Sequence, residues 1–192
     1  MSAIGIMGED ETDVLTLRTI LRRMIPREVG IERRNPPRGR AGCAALRKAA
    51  KTYMKELHAA GCHAVILLHD LDLSGETNEL NDEGQLRTRL AAIPVPPGLA
   101  RLICIPVEEI EAWFWADQNV LDRIGPGGKA SASPHTIKRP KEQLRDLSWR
   151  AHRKYNYATT QNPELAALLD LELCARRCRS FAELQAFVAA QL

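Results

Sequence analysis

The sequence is short of aromatic residues, with three each of Trp, Tyr and Phe in 192 positions, and it has no long apolar run. Stretches such as Ala64 to Leu68 are of strand length, far from the roughly 20 residues a membrane-crossing helix needs, so a soluble protein is expected. Its five cysteines (Cys43, Cys62, Cys104, Cys174 and Cys178) are odd in number and scattered, and no signal peptide precedes them. That argues against a disulfide framework and for a reducing cytoplasm. Cys174 and Cys178 stand one helical turn apart, but no second Cys or His pair at zinc spacing accompanies them, so they are assigned to core packing. There is no Gly-x-x-x-x-Gly-Lys-Ser/Thr phosphate loop, which excludes an ATPase of that type within the chain. No tyrosine sits in a recognisable topoisomerase cleavage domain, and no internal repeat is visible.

What is present is ordinary globular composition, 45% hydrophobic and 27% charged, in a length that suits one domain. The net charge of +3 is mild and its distribution is uneven. Basic residues crowd the segment from Arg22 to Lys51, while Glu76, Glu79, Asp82 and Glu83 follow the strand-length run that ends at Leu68. Solvated surface and a phosphate-contacting patch both fit such a basic run.

Hydrophobic spacing divides the chain into two regions. Ala3 to Met7 reads as a strand, followed by a turn at Gly8 and a helix through Val14, Leu17, Ile20 and Met24. Val29 to Arg33 suits a second strand. A basic loop, Asn35-Pro36-Pro37-Arg38-Gly39-Arg40, leads to a long amphipathic helix closed by Gly61. His63 to His69 is the clearest strand, a helix is expected around Glu79 to Ala92, and Ala100 to Ile105 is the last strand. Continuous apolar strands alternating with helices predict an α/β fold with a mostly parallel sheet flanked by helices. From Val107 onward the pattern is helical: Glu108 to Asp117, Lys141 to Trp149, Pro163 to Leu169 and Phe181 to Leu192. The expected organisation is an α/β core over 1–117 and a helical C-terminal extension over 118–192, packed as one unit.

Functional groups of parallel α/β sheets gather beyond the carboxyl ends of the strands, and three acidic clusters fall at those ends. They are Gly8-Glu9-Asp10-Glu11, Asp70-Leu71-Asp72, and Val107-Glu108-Glu109-Ile110-Glu111. In extended chain Asp70 and Asp72 point the same way and can present two carboxylates to one hard cation, although Asp-x-Asp also serves turns and helix caps. Helical spacing sets Glu108 and Glu111 on one face and Ile110, Trp113 and Phe114 on another, the latter a core face rather than a base-stacking platform. Asp117 suits a cap or a surface ion pair. Carboxylates arranged about divalent metal can support in-line phosphoryl displacement. In that reading Glu9 is a metal ligand or general acid/base, and Lys141 neutralises phosphate charge, though a solvated lysine is the plainer account.

The order of these segments resembles the Toprim arrangement of topoisomerases, primases and overcoming-lysogenization-defect nucleases. Gly8-Glu9-Asp10-Glu11-Thr12-Asp13 looks like that group's Glu-Gly-x-Thr-Asp/Glu segment, with Asp10 standing where the group has glycine. Ile110-Glu111-Ala112-Trp113-Phe114-Trp115-Ala116-Asp117, Arg139-Pro140-Lys141 and Ser180-Phe181 resemble a family of small bacterial Toprim-like proteins related to the RloB group. The resemblance implies a Toprim-like fold and a Mg²⁺- or Mn²⁺-dependent nuclease acting on DNA or RNA. It also implies a role in defence or mobile-element biology, with any ATPase partner a separate chain. Carried onto this sequence, it makes Glu9, Asp70, Asp72 and Glu111 metal ligands, with Glu9 and Lys141 catalytic and Asp117 carried over beside them without a role of its own. The rival readings are a non-catalytic subunit whose acidic edge binds a cation or a basic partner, and phosphoryl hydrolysis of a small molecule.

Overall fold

Buried on both faces, Ala3–Met7 (β1) and Cys62–Leu68 (β3) form the centre of a four-stranded sheet. The computed structural model describes residues 3–37, 42–72, 80–153 and 156–192. Gly30–Arg34 (β2) pairs with β1 and Ala100–Cys104 (β4) with β3, giving the order β2-β1-β3-β4 with every pairing parallel. Glu11–Met24 (α1), Cys43–Ala59 (α2) and Glu83–Ala91 (α3) make the three crossovers. This is the expected α/β architecture, with a parallel sheet flanked by helices as in a Toprim-like fold. The acidic positions Glu76 and Glu79, and Arg38 and Arg40 of the basic loop, lie outside the described residues.

Alternation along the strands splits the apolar core in two. Ile4, Ile6, Ala64, Ile66 and Leu68 pack with Val14, Leu17, Ile20 and Leu21 of α1 and with C-terminal residues including Phe181 and Leu184. Met7, Val65, Leu67 and Ile103 face Leu46, Ala50, Met54 and Leu57 of α2 and Leu86 and Leu90 of α3. Gly5 lets α2 lie close against β1, since a Cβ there would come within 2.9 Å of both Leu57 Cδ1 and Val65 Cγ1. After α2 the chain turns at Gly61, whose φ of +90° suits a residue without Cβ.

Beyond β4 the chain is helical: Gln118–Ile124 (α4), Pro140–His152 (α5), Asn162–Leu168 (α6), Leu171–Arg177 (α7) and Arg179–Ala189 (α8). α7 falls where no helix was expected, begun by Asp170, whose carboxylate accepts the Leu173 N–H at 2.8 Å. The larger departure is at Glu108 to Asp117. In place of one α-helix there is a 3-10 helix, Ile110–Ala116, and Glu108 stands outside it with φ of +59°. Polar bonds from a segment some thirty residues on hold these side chains instead: the Glu108 carboxylate accepts the Arg139 N–H, and Glu109 binds Lys141. The shared Glu108 and Glu111 face therefore does not form. Trp113 and Trp115 are buried, so neither offers a stacking surface. Cys174 and Cys178 are buried as well.

Candidate metal centre

In the strand order β2-β1-β3-β4 the chain first steps from β1 to one side and then crosses back to β3, so the crevice between β1 and β3 is the switch point of the sheet. Glu9 follows β1 and Asp70 follows β3, one on each side of it. Gly8 makes the bend out of β1, where a Cβ would sit 3.0 Å from Val14 Cγ2. Asp10 then begins α1 by accepting the Asp13 N–H at 3.0 Å. Glu9 is left aimed across the crevice, where its Oε1 accepts the Asp70 N–H at 2.9 Å. That bond ties the ends of the two central strands together.

A cavity of about 310 Å³ opens over this junction, lined by Glu9, Asp10, Asp13, Asp70, Asp72, Glu109, Glu111 and Lys141, among others. All four carboxylates expected to hold metal, and Lys141, therefore meet in one place. Asp70 and Asp72 do not reach it by strand alternation, however. β3 ends at Leu68 and Asp72 has φ of +32°, a left-handed turn conformation that Asp tolerates. The turn is fixed by the Asp72 N–H donating to Glu108 O at 3.1 Å and by Asn81, whose side chain donates to Asp72 O at 2.9 Å. Asp117 is not brought in. It is buried elsewhere, accepting the Asn119 N–H at 2.9 Å and the Asp170 N–H at 2.6 Å, a cap that also joins α4 to the start of α7.

Glu111 comes from the 3-10 helix and is only 4% exposed. Asn162 donates to its Oε1 at 2.9 Å and the Tyr157 hydroxyl approaches the same oxygen at 3.4 Å, so the C-terminal helices hold this ligand candidate in place. Lys141, at the start of α5, pairs with Glu109. Burial works to lower the Lys141 ammonium, but its bond to Glu109 and the nearby Glu111 and Glu142 carboxylates outweigh that and hold it above its usual value. It stays charged at neutral pH.

The acidic groups press on one another. Burial, then Asp13, Glu9, Glu111 and Asp72, push the Asp70 carboxyl well above the carboxylate range. Burial and the Asp10, Glu111 and Glu9 carboxylates do the same to Asp13, with Lys141 opposing. Glu111 is raised by burial, with its Asn162 hydrogen bond pulling the other way. A divalent cation among these groups would relieve all three at once. The donor set therefore fits a hard cation.

Four members of the site escape the expectation from sequence. Asp13 lies in the first turn of α1 and lines the cavity, and its place in the Gly8 to Asp13 segment was the available signal. Cys43, the first residue of α2, sets Sγ 2.8 Å from Glu9 Oε1 and 2.9 Å from Asp72 Oδ2. His69, 2% exposed, lies beside them. Among the described residues, Glu9, Cys43 and His69 form a cluster whose ligand atoms lie within 4.8 Å of one another and could hold a metal. Arg47 Nη1 sits 3.1 Å from His69 Nε2, and His69 Nδ1 sits 2.8 Å from the Asp70 carbonyl. Arginine can only donate, so Nε2 accepts and the ring proton is assigned to Nδ1, which donates to Asp70.

Residues 8–189 match the family model described as a domain of unknown function, DUF4276. The chain belongs to that family. The DUF4276 match spans the Glu9 turn, β2, β3 and β4, and the C-terminal helices that hold Glu111, so the site and its supports fall within it. No curated protein and no solved structure is detectably similar to this chain. No helix among the described residues is long and apolar enough to cross a membrane.

Proposed function

We propose that this DUF4276 protein is a Toprim-type, Mg²⁺- or Mn²⁺-dependent phosphodiester hydrolase acting on nucleic acid. One observation carries the reading: Glu9, Asp70, Asp72 and Glu111, drawn from three separate acidic segments, line a single cavity at the switch point of a parallel sheet. The order of those segments supports the Toprim relationship. Divalent metal bound there would supply charge neutralisation for in-line displacement at phosphorus. Asp70, Asp72 and Glu111 would hold it, and Glu9, which reaches across the crevice, would be a ligand or carry the proton to or from the reacting oxygen. Lys141, charged and at the cavity wall, would face the phosphate oxygens. Any ATPase working with the protein would be a separate chain, and defence or mobile-element biology is the setting in which such a nuclease would act.

The experiment is a panel of single- and double-stranded DNA and RNA incubated with Mg²⁺ or Mn²⁺, with and without chelator. Cleavage that chelation stops is the expected result. Absence of turnover on every substrate, together with stable capture of a partner protein, would instead favour a non-catalytic subunit.

A nucleic-acid substrate is further supported by α2, whose first turn is at the cavity. Arg47, Lys51 and Lys55, spaced one turn apart, are exposed, as is Lys48. None of the four forms an ion pair with a described carboxylate. Reversing Lys51 and Lys55 to Glu should weaken binding to all sequences alike and reduce the slope of log affinity against log salt by about one per lost phosphate contact. Filter binding at several salt concentrations measures it, and an unchanged slope would remove α2 from the substrate path.

A further inference from the structure

A second cavity, of about 300 Å³, opens beside the metal centre at the carboxyl end of β4. The two share a wall. Glu109 and Glu111 line the metal cavity, while Val107, Ala112 and Trp113 of the same short segment line this one. Roughly the width of a helix, about 10 Å, therefore separates them. The floor is apolar, with Ile105, Ala112 and Trp113 all buried. The rim is charged and comes from the first two turns of α3 and of α8. Arg87 Nη2 donates to Glu83 Oε1 at 2.8 Å and to Glu183 Oε2 at 3.3 Å, and Arg179 Nε donates to Glu183 Oε1 at 2.9 Å. Two carboxylates thus meet two guanidiniums, and their charges cancel.

A rim whose charges are already paired favours neither a bare anion nor a bare cation. It suits a neutral, flat body with an apolar face and a polar edge. Hydrogen-bonding capacity for such an edge is left over in both senses. Glu83 Oε2 has no donor among the described residues, which leaves an acceptor. Arg179 Nη1 and Nη2 have no acceptor among them, and the Ser180 hydroxyl, which accepts Trp113 Nε1–H at 3.1 Å, still has its own proton to give. We infer that this cavity is a subsite for an unpaired nucleobase of the nucleic acid held at the metal centre. The base amino group donates to Glu83, and the neighbouring ring nitrogen or carbonyl accepts from Ser180 or Arg179. Its face rests on Ile105 and Val107, since buried Trp113 offers no open ring. An extruded base is read in this way, by its edge inside a pocket. A duplex keeps those edges paired, so the substrate is single-stranded or locally unpaired. The inference rests on the reading of the protein as a nucleic-acid hydrolase and names the form of its substrate.

The test is a titration of the full ¹⁵N-labelled chain with adenosine or cytidine in the presence of chelator, read by the indole N–H resonance of Trp113. Trp113→Phe assigns that signal among the three tryptophans. The nucleosides should move it and leave the signals of Trp115 and Trp149, which do not line the cavity, in place. Ribose 5-phosphate, which has sugar and phosphate without a base, should not move it. Glu83→Ala and Arg179→Ala change side chains that reach solvent, and each should weaken nucleoside binding by roughly 5- to 10-fold, the worth of one hydrogen bond. A Trp113 signal that no nucleoside moves, or that ribose 5-phosphate moves as far, overturns the inference, as does unchanged affinity in both variants. Cleavage is scored separately with Mg²⁺ or Mn²⁺, so the hydrolase reading survives any of these results. Nucleosides that bind here in a protein that cleaves no strand would end the hydrolase reading and leave the base subsite in place.

Discussion

Asp70→Asn should abolish metal-dependent cleavage and, at the same time, make the metal-free protein more stable at neutral pH. The two effects share a cause. Asp70 is pressed by burial and by Asp13, Glu9, Glu111 and Asp72, so ionising it in the folded protein costs free energy that ionising it in the unfolded chain does not. Asparagine copies the shape of the protonated acid without the charge. The melting midpoint of the metal-free variant at neutral pH should therefore lie above that of wild type. The same change removes a metal ligand, so added Mg²⁺ or Mn²⁺ should stabilise the wild type and not the variant.

The pH dependence follows with a definite sign. Asp70 and Asp13 have folded values above their unfolded ones, so the folded state binds more protons and stability falls as pH rises. Their contribution is complete below the ordinary aspartate range near ~3.9 and is lost as pH climbs from there through the raised values. Metal-free wild type should therefore melt higher at mildly acidic pH than at neutral pH. Asp70→Asn should flatten that profile, and saturating divalent cation should reverse the wild-type trend. Thermal melts across pH, with and without Mg²⁺, read all of this. A variant that melts below wild type at neutral pH without metal would show that Asp70 is not under repulsion. Cleavage that survives both Asp70→Asn and Glu9→Ala would place the chemistry elsewhere.

The strands and the residues at their ends were readable because burial on both faces leaves a continuous apolar run, as at Ala64 to Leu68, and the next polar residue marks the strand end. Glu9, Asp70 and Glu111 were found in that way, or by resemblance to a known segment order. The route by which Asp72 arrives was not readable. Period-two reasoning assumes extended chain, and the left-handed turn at Asp72 is set by Glu108 and Asn81, nine residues or more away. Glu108 was misjudged for a related reason. A helical pattern of Ile110, Trp113 and Phe114 says nothing of the Arg139 N–H that draws Glu108 out of the helix. Cys43 gave no signal at all: a single cysteine at a helix start acquires meaning only when β1 and β3 bring Glu9 and Asp72 against it.

Trp113→Ala should be the most destabilising single change in the C-terminal half. The side chain is 1% exposed, its ring meets Phe181 edge-on with centroids 5.0 Å apart, and its Nε1–H donates to Ser180 Oγ at 3.1 Å. Those contacts join the 3-10 helix to the first turn of α8, which itself packs on β4. Truncating a buried aromatic to alanine costs about 3–5 kcal/mol, or about 6–20 °C of melting midpoint at this chain length. Trp113→Phe keeps a ring against Phe181 and loses the hydrogen bond, so it should cost less, near the ~1 kcal/mol of one such bond plus some packing. The pair also tests the site, because Glu111 stands two residues away on the same short helix. If the Trp113 contact fixes that helix, divalent affinity should fall in Trp113→Ala and hold in Trp113→Phe when both are measured well below their melting points. Equal metal affinity in the two would mean that Asn162 and Tyr157 alone hold Glu111 in place. A melting midpoint for Trp113→Ala within about 2 °C of wild type would mean that α8 is docked by contacts other than this one.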